Sequence, residues 1–123
     1  MSQPNVVIIE DDIWLAEQHT RVLQQAGYHP HHATYASAAI ELIDEHAPIA
    51  IVLDVLLTGS TAMVLLHELQ SYKDTAVIPV ILCTNMASEI SLREFEPYGV
   101  RRILDKSTML PDDLVAAIRS VSL

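Results

Sequence analysis

The feature that most constrains this chain is a regular alternation of short aliphatic runs with longer segments of helical period. Val6-Val7-Ile8-Ile9 is followed by core-facing positions at Leu15, His19, Val22, Leu23 and Ala26, which reads as a strand and then an amphipathic helix. Asp12 is the expected N-cap of that helix, and Gly27 suits the left-handed position just past its end. A second strand is expected over Tyr28 to Ala33, where Pro30 and three histidines suit a sheet edge. Ala36 to His46 predicts a second helix, Ile49 to Leu53 a third strand, and Ala62, Leu65, Leu66 and Leu69 one face of a third helix. Val77 to Cys83 reads as a fourth strand, Ser88 to Glu96 as a fourth helix ended by Pro97, and Ile103-Leu104 as the heart of a fifth strand. Pro111 opens a last helix carrying Leu114, Val115, Ile118 and Val121.

Five strands alternating with five helices through crossovers this short are forced to run parallel, with helices on both faces of an α/β sheet. The strands lack a polar side, which fits burial on both faces. A chain of 123 residues, half of them apolar, is expected to form one domain over 1–123. Its net charge of -9 repels phosphate backbones and argues against a nucleic-acid surface. No apolar run is long enough to cross a membrane or to act as a leader, so the expected compartment is the cytoplasm. Cys83 is the sole cysteine, and it and Trp14 are expected to be packing residues.

In parallel α/β sheets the functional side chains gather at the carboxyl ends of the strands. Here those ends carry Glu10, Asp11 and Asp12 after the first strand, Asp54 after the third, Thr84 and Asn85 at the fourth, and Asp105 and Lys106 at the fifth. Two carboxylates about 4 Å apart repel by roughly 4 kcal/mol at an effective dielectric near 20. Glu10, Asp11 and Asp54 in one pocket therefore need a cation or shifted pKa values. Lys106 supplies one charge, and Mg²⁺ suits the rest, since it favours a few carboxylates and several waters. An aspartate beside Mg²⁺, an ammonium and a threonine hydroxyl is equipped for nucleophilic capture of a phosphoryl group.

The segments VVIIEDD, IVLD, VILCTN and ILDKS fall in order at the ends of the expected strands. Together they resemble the receiver domain of two-component response regulators over Val6 to Val121. The resemblance implies a flavodoxin-like receiver fold, a five-stranded parallel sheet of order 2-1-3-4-5. It implies that Asp54 is the phosphoacceptor, Asp11 a direct Mg²⁺ ligand, Glu10 a ligand largely through water, and the Leu56 carbonyl the last protein ligand. Thr84 is expected to bind a phosphoryl oxygen, and Lys106 to pair with Asp54 and then with the phosphate. The implied donor is a phosphohistidine on a sensor histidine kinase or a histidine phosphotransfer protein. The implied output is a changed surface around the fourth helix, fifth strand and last helix. Such a domain is a signalling module rather than an enzyme, although it assists its own phosphorylation and dephosphorylation. No output module is expected within these residues.

The chain departs from the family pattern at several positions. Thr58 and Ala62 replace a proline and a glycine in the loop after the acceptor, which implies a more mobile or a differently shaped loop. Ser107 replaces the cis proline after the lysine, so either a costly non-proline cis bond is kept or the loop is rearranged. Ile103 stands where relatives place the aromatic that swings inward on activation, Asn85 replaces the small residue after the switch threonine, and Arg101-Arg102 replaces an acidic pair used in dimerisation. The dimer built on that pair is not expected. Leu56 and Met86, at the two positions flanking the phosphoryl site, are apolar and predict slow loss of phosphate.

The rival from another class is a receiver-shaped interaction module that is rarely phosphorylated, motivated by Ile103 and Ser107. A phosphate-ester hydrolase with an aspartyl nucleophile fits less well, because the second aspartate such enzymes carry two residues on is here Leu56. Histidines 29, 31 and 32 are read as exposed edge residues rather than a metal site. The hydroxyl-rich loop over residues 58–61 follows the third strand rather than the first, which argues against flavin binding.

Overall fold

The computed structural model describes residues 3–57 and 60–122. Five parallel strands, β1 (Asn5–Ile9), β2 (His29–Ala33), β3 (Ala50–Leu53), β4 (Val80–Thr84) and β5 (Val100–Asp105), lie in the order β2-β1-β3-β4-β5. They are crossed by helices α1 (Ile13–Gln25), α2 (Ala36–His46), α3 (Ala62–Gln70) and α6 (Pro111–Val121), with single turns α4 (Lys73–Ala76) and α5 (Leu92–Phe95) between α3 and β5. No helix among the described residues is long and apolar enough to cross a membrane.

Two cores explain why the strands are apolar throughout. Val7, Ile9, Ile51, Leu53, Val80 and Leu82 pack on one face with Ala39, Ile43, Leu65, Leu66 and Leu69 of α2 and α3. Their neighbours Val6, Ile8, Ala50, Val52, Ile81 and Cys83 point the other way, onto Leu23 of α1 and Leu114, Val115 and Ile118 of α6. Each fully buried Leu or Ile side chain contributes roughly 2 kcal/mol. Asp12 caps α1, its Oδ1 accepting from the Leu15 amide at 3.2 Å, and Gly27 follows the helix at φ 93°. The expected caps of this helix are therefore present.

The sheet edges differ from its interior. In β2 the His29 amide donates to the Pro4 carbonyl and the Ala33 carbonyl accepts from Glu10, so odd-numbered residues face β1 and Pro30 points its missing donor outward. At the opposite edge Val80 pairs with Val100 and Ile81 with Arg102, leaving Arg101 as an extra, bulged residue.

Several expected boundaries are corrected. β2 starts at His29, with Tyr28 buried just before it. β4 begins at Val80 rather than Val77, because the Thr75 hydroxyl, buried and donating to the Leu69 carbonyl at 2.5 Å, closes the turn α4, and Val77 beyond it is 73% exposed. The expected fourth helix is broken into a 3₁₀ turn Ala87–Glu89, α5 and a second 3₁₀ turn Glu96–Tyr98. Ser91, extended, accepts from the Arg93 amide through its Oγ at 3.3 Å and restarts the helix, so continuity is lost there. A two-residue antiparallel pair, Leu56–Leu57 with Ser60–Thr61, was not foreseen. Thr58 and Gly59, on which expectations about the loop partly rested, lie outside the described residues. Trp14 is not a packing residue, being 65% exposed, whereas Cys83 is buried.

Candidate functional site

Parallel pairing sets the site. The registers Ile9↔Ala33 and Ile9↔Leu53 bring β1, β2 and β3 to an end together, so the residues that follow, Glu10 and Asp54, emerge side by side. The Asp54 amide donates to the Ile9 carbonyl at 3.2 Å, and the Lys106 amide to the Thr84 carbonyl at 3.0 Å, carrying the same alignment one residue past the strands.

Glu10, Asp11 and Asp54 each offer a carboxylate oxygen, and these oxygens lie within 4.8 Å of one another. Lys106 Nζ bonds Glu10 Oε1 at 2.5 Å and Asp54 Oδ2 at 2.9 Å, with the three side chains between 3% and 12% exposed. The other Glu10 oxygen, Oε2, accepts from the Asp12 amide at 3.1 Å. Burial pushes the Glu10 carboxyl above its ordinary range; bonds from Lys106 and Asp12 oppose that shift, and the Asp54 charge reinforces it. Burial alone would lower the Lys106 ammonium, but its bonds to Glu10 and Asp54 more than reverse the effect and hold it above the usual lysine value.

Three hard oxygen donors of this kind fit Mg²⁺, which takes one or two carboxylates and keeps waters. Asp11 is exposed and Asp54 is largely buried. Leu56 lies two residues beyond Asp54, at the start of the short antiparallel pair.

Thr84 is brought to the same end of the sheet and is 1% exposed, but its hydroxyl is turned to its own loop, accepting from the Met86 amide at 3.0 Å. After Lys106 the chain is rearranged rather than kept cis: no cis peptide occurs among the described residues. Asp105 Oδ1 instead accepts from both the Ser107 amide (2.9 Å) and hydroxyl (2.6 Å), and these bonds hold its carboxyl below the usual range. Ile103 is half-buried against the α2–α3 core.

Two histidines near the site were not anticipated in these roles. His32 is not simply an exposed edge residue, because its Nε2 donates to the Glu10 carbonyl at 2.7 Å; a carbonyl oxygen only accepts, so that nitrogen carries the proton. His19, on the inner face of α1, is 5% exposed and has no hydrogen-bond partner at Nε2. Burial, aided by the Lys106 charge, pulls its pKa down to about 4. The signal for His19 was its place in the helical apolar stripe; nothing in the sequence pointed to the ring contact of His32. His29 and His31 do share a face, at 4.4 Å between rings, and are joined by His46, which stacks on His31 at 3.6 Å.

The family model of the response regulator receiver domain matches residues 6–119. The phosphate regulon transcriptional regulatory protein PhoB of Escherichia coli is 28% identical over 116 residues, 94% of this chain and 50% of PhoB. PhoB of Klebsiella pneumoniae matches at the same identity and coverage, so the chain spans about half the length of the curated relatives it matches. Among solved structures, a sensor protein from Polaromonas superposes with a TM-score of 0.88 at 21% identity, covering 96% of this chain and 94% of that one. The chemotaxis protein CheY4 of Vibrio cholerae gives 0.86 at 20%, covering 98% and 99%. The fold is thus shared at low identity, and a model matched from the first strand into the last helix shows that the chain belongs to the response regulator receiver domain family.

Proposed function

We propose that this chain accepts a phosphoryl group on Asp54 from a phosphohistidine donor, with Mg²⁺ held by Asp11, Asp54 and the Leu56 carbonyl and reached from Glu10 through water. Receivers are signalling domains of two-component systems, phosphorylated on an aspartate and served by histidine kinases or phosphotransfer proteins. The observation that carries the proposal is the bond of Lys106 to Asp54 inside a pocket where three carboxylate oxygens lie within 4.8 Å of one another.

The chain's own residues account for most of the chemistry. Asp54 Oδ attacks phosphorus in line; the P–N bond to the donor imidazole breaks, and the released nitrogen keeps the electron pair and takes a proton from water. Lys106 follows the charge from the Asp54 carboxylate to the new phosphoryl oxygens, and the Thr84 hydroxyl turns from Met86 toward one of them. Bound Mg²⁺ supplies the remaining countercharge. Glu10, with both oxygens already engaged, keeps a position behind Asp11. Leu56 and Met86 cannot orient an attacking water, so the acyl phosphate is long-lived. With Ile103 in place of an aromatic, the output passes to the surface of α5, β5 and α6 without a swinging ring.

Intact mass after incubation with acetyl phosphate and Mg²⁺ tests this. Wild type is expected to gain one phosphoryl group and Asp54→Ala none. Gain on both proteins overturns Asp54 as acceptor. The absence of gain on wild type, repeated with a phosphohistidine donor, favours the second reading, an interaction module working without phosphate, for which Ile103 and the rearranged Ser107 turn speak.

A further inference from the structure

We propose that His32 is a positioning residue for the Mg²⁺ pocket, holding Glu10 by its main chain so that the Glu10 carboxylate is set before any ion arrives. The inference rests on the Mg²⁺ pocket proposed above and concerns a residue outside the carboxylate set. Glu10 is the first residue past β1, where the sheet ladder runs out. Its amide still finds a partner in the Ala33 carbonyl at 3.1 Å. β2, however, ends at Ala33, and the Glu10 carbonyl is taken by a side chain instead, His32 Nε2 at 2.7 Å. The imidazole thus stands in for a main-chain donor, one residue back on the edge strand.

The consequence reaches the pocket through Glu10 alone. Both of its main-chain polar groups are tied to β2, and both carboxylate oxygens are tied to other residues, Oε1 to Lys106 and Oε2 to the Asp12 amide. A residue fixed at four atoms has little rotational freedom left to lose when a cation binds beside it, and Asp11, the next residue, inherits its direction from the same peptide. Releasing the Glu10 carbonyl frees the Glu10–Asp11 peptide to rotate. Loss of a group that orients metal-binding residues from behind weakens metal binding by about tenfold or more. His32 is half-buried and on an edge, so its removal leaves both apolar cores intact.

Mg²⁺ titrations followed in amide ¹H–¹⁵N spectra of wild type, His32→Ala and His32→Gln, with thermal midpoints recorded alongside, test the assignment. The glutamine amide nitrogen can take the place of Nε2 as donor. His32→Ala is expected to weaken Mg²⁺ binding by about tenfold, with the Glu10 and Asp11 amide signals displaced, while His32→Gln recovers most of the affinity even where the two variants share one thermal midpoint. Equal affinity in His32→Ala and wild type, or no recovery in His32→Gln, overturns the positioning role while leaving the pocket in place. A wild type that binds no Mg²⁺ defeats the pocket itself, and the positioning role with it.

Discussion

Lys106 stands between two regions on which its charge acts in opposite ways. On one side are the carboxylates of Glu10 and Asp54, nearly buried and both bonded to its ammonium. On the other, Lys106 and His19 line the same cavity between α1 and α6, and His19 is neutral with no partner at Nε2. Both regions exclude water to a similar degree. Burial favours the neutral form of both groups; at Glu10 the bonds from Lys106 and Asp12 offset part of that push, whereas at His19 the Lys106 charge adds to it. The pH dependences are opposite as well. Glu10, its carboxyl raised when folded, contributes stability that is full below about pH 4.5 and lost as pH rises through the shifted value. His19, lowered from 6.5 to about 4 when folded, contributes stability that is full above pH 6.5 and lost as pH falls toward 4.

The contrast breaks most sharply at its centre. Lys106→Met is expected to cost about 3 kcal/mol in Mg²⁺-free buffer at pH 7, because it strands two nearly buried carboxylates. Urea denaturation measures the loss, which shrinks on adding Mg²⁺ or on acidification, when Glu10 takes a proton. An equal loss at every pH and Mg²⁺ concentration would show that Lys106 matters for its alkyl packing and not its charge.

His19 sharpens the other side. Between pH 6.5 and 4 the wild type is expected to lose about 3 kcal/mol at this one group, the free energy of a shift of that size. His19→Leu removes that part of the acid slope and leaves stability at pH 7 equal or higher, since an unpaired polar atom is exchanged for an apolar one. Denaturation curves at pH 7, 5.5 and 4.5 compare the two proteins, and parallel slopes would place the acid sensitivity elsewhere. The smallest effect belongs to the third member of the acidic triplet. Asp12→Ala is expected to cost about 1 kcal/mol through loss of the α1 cap, with Mg²⁺ affinity unchanged; a large change in affinity would move Asp12 from the helix to the pocket.

How much of this was legible in the sequence follows from the range of the forces involved. The parallel sheet could be read because strands buried on both faces have no polar side, and because alternation with short crossovers admits few topologies. Glu10, Asp11, Asp54, Thr84 and Lys106 could be placed at one end for the same reason. The order of the strands came only from the resemblance of the strand-end segments to receivers. The breaks were hidden where a single side-chain bond decides the local course, as with the Thr75 hydroxyl before β4 and the Ser91 hydroxyl before α5. The Ser107 position left a strained cis bond and a rearranged turn both open, and gave no sign that Asp105 would accept from both its amide and its hydroxyl. Contacts across long separations were the least visible: His46 joins His31 from a different element, and His32 reaches Glu10 from across the edge strand.

The outward proline of β2 and the bulge at Arg101 also bear on how the protein behaves in a crowd. A parallel sheet closed only by its two outermost strands is a template to which further chains can add, and three oily inner strands make such growth favourable once begun. At one margin Pro30 withholds the donor a newcomer needs; at the other, the extra residue and two adjacent arginines spoil both spacing and charge. Replacing Pro30, or the bulged Arg101 and its neighbour Arg102, would remove that block at its margin without altering a residue of the acidic pocket.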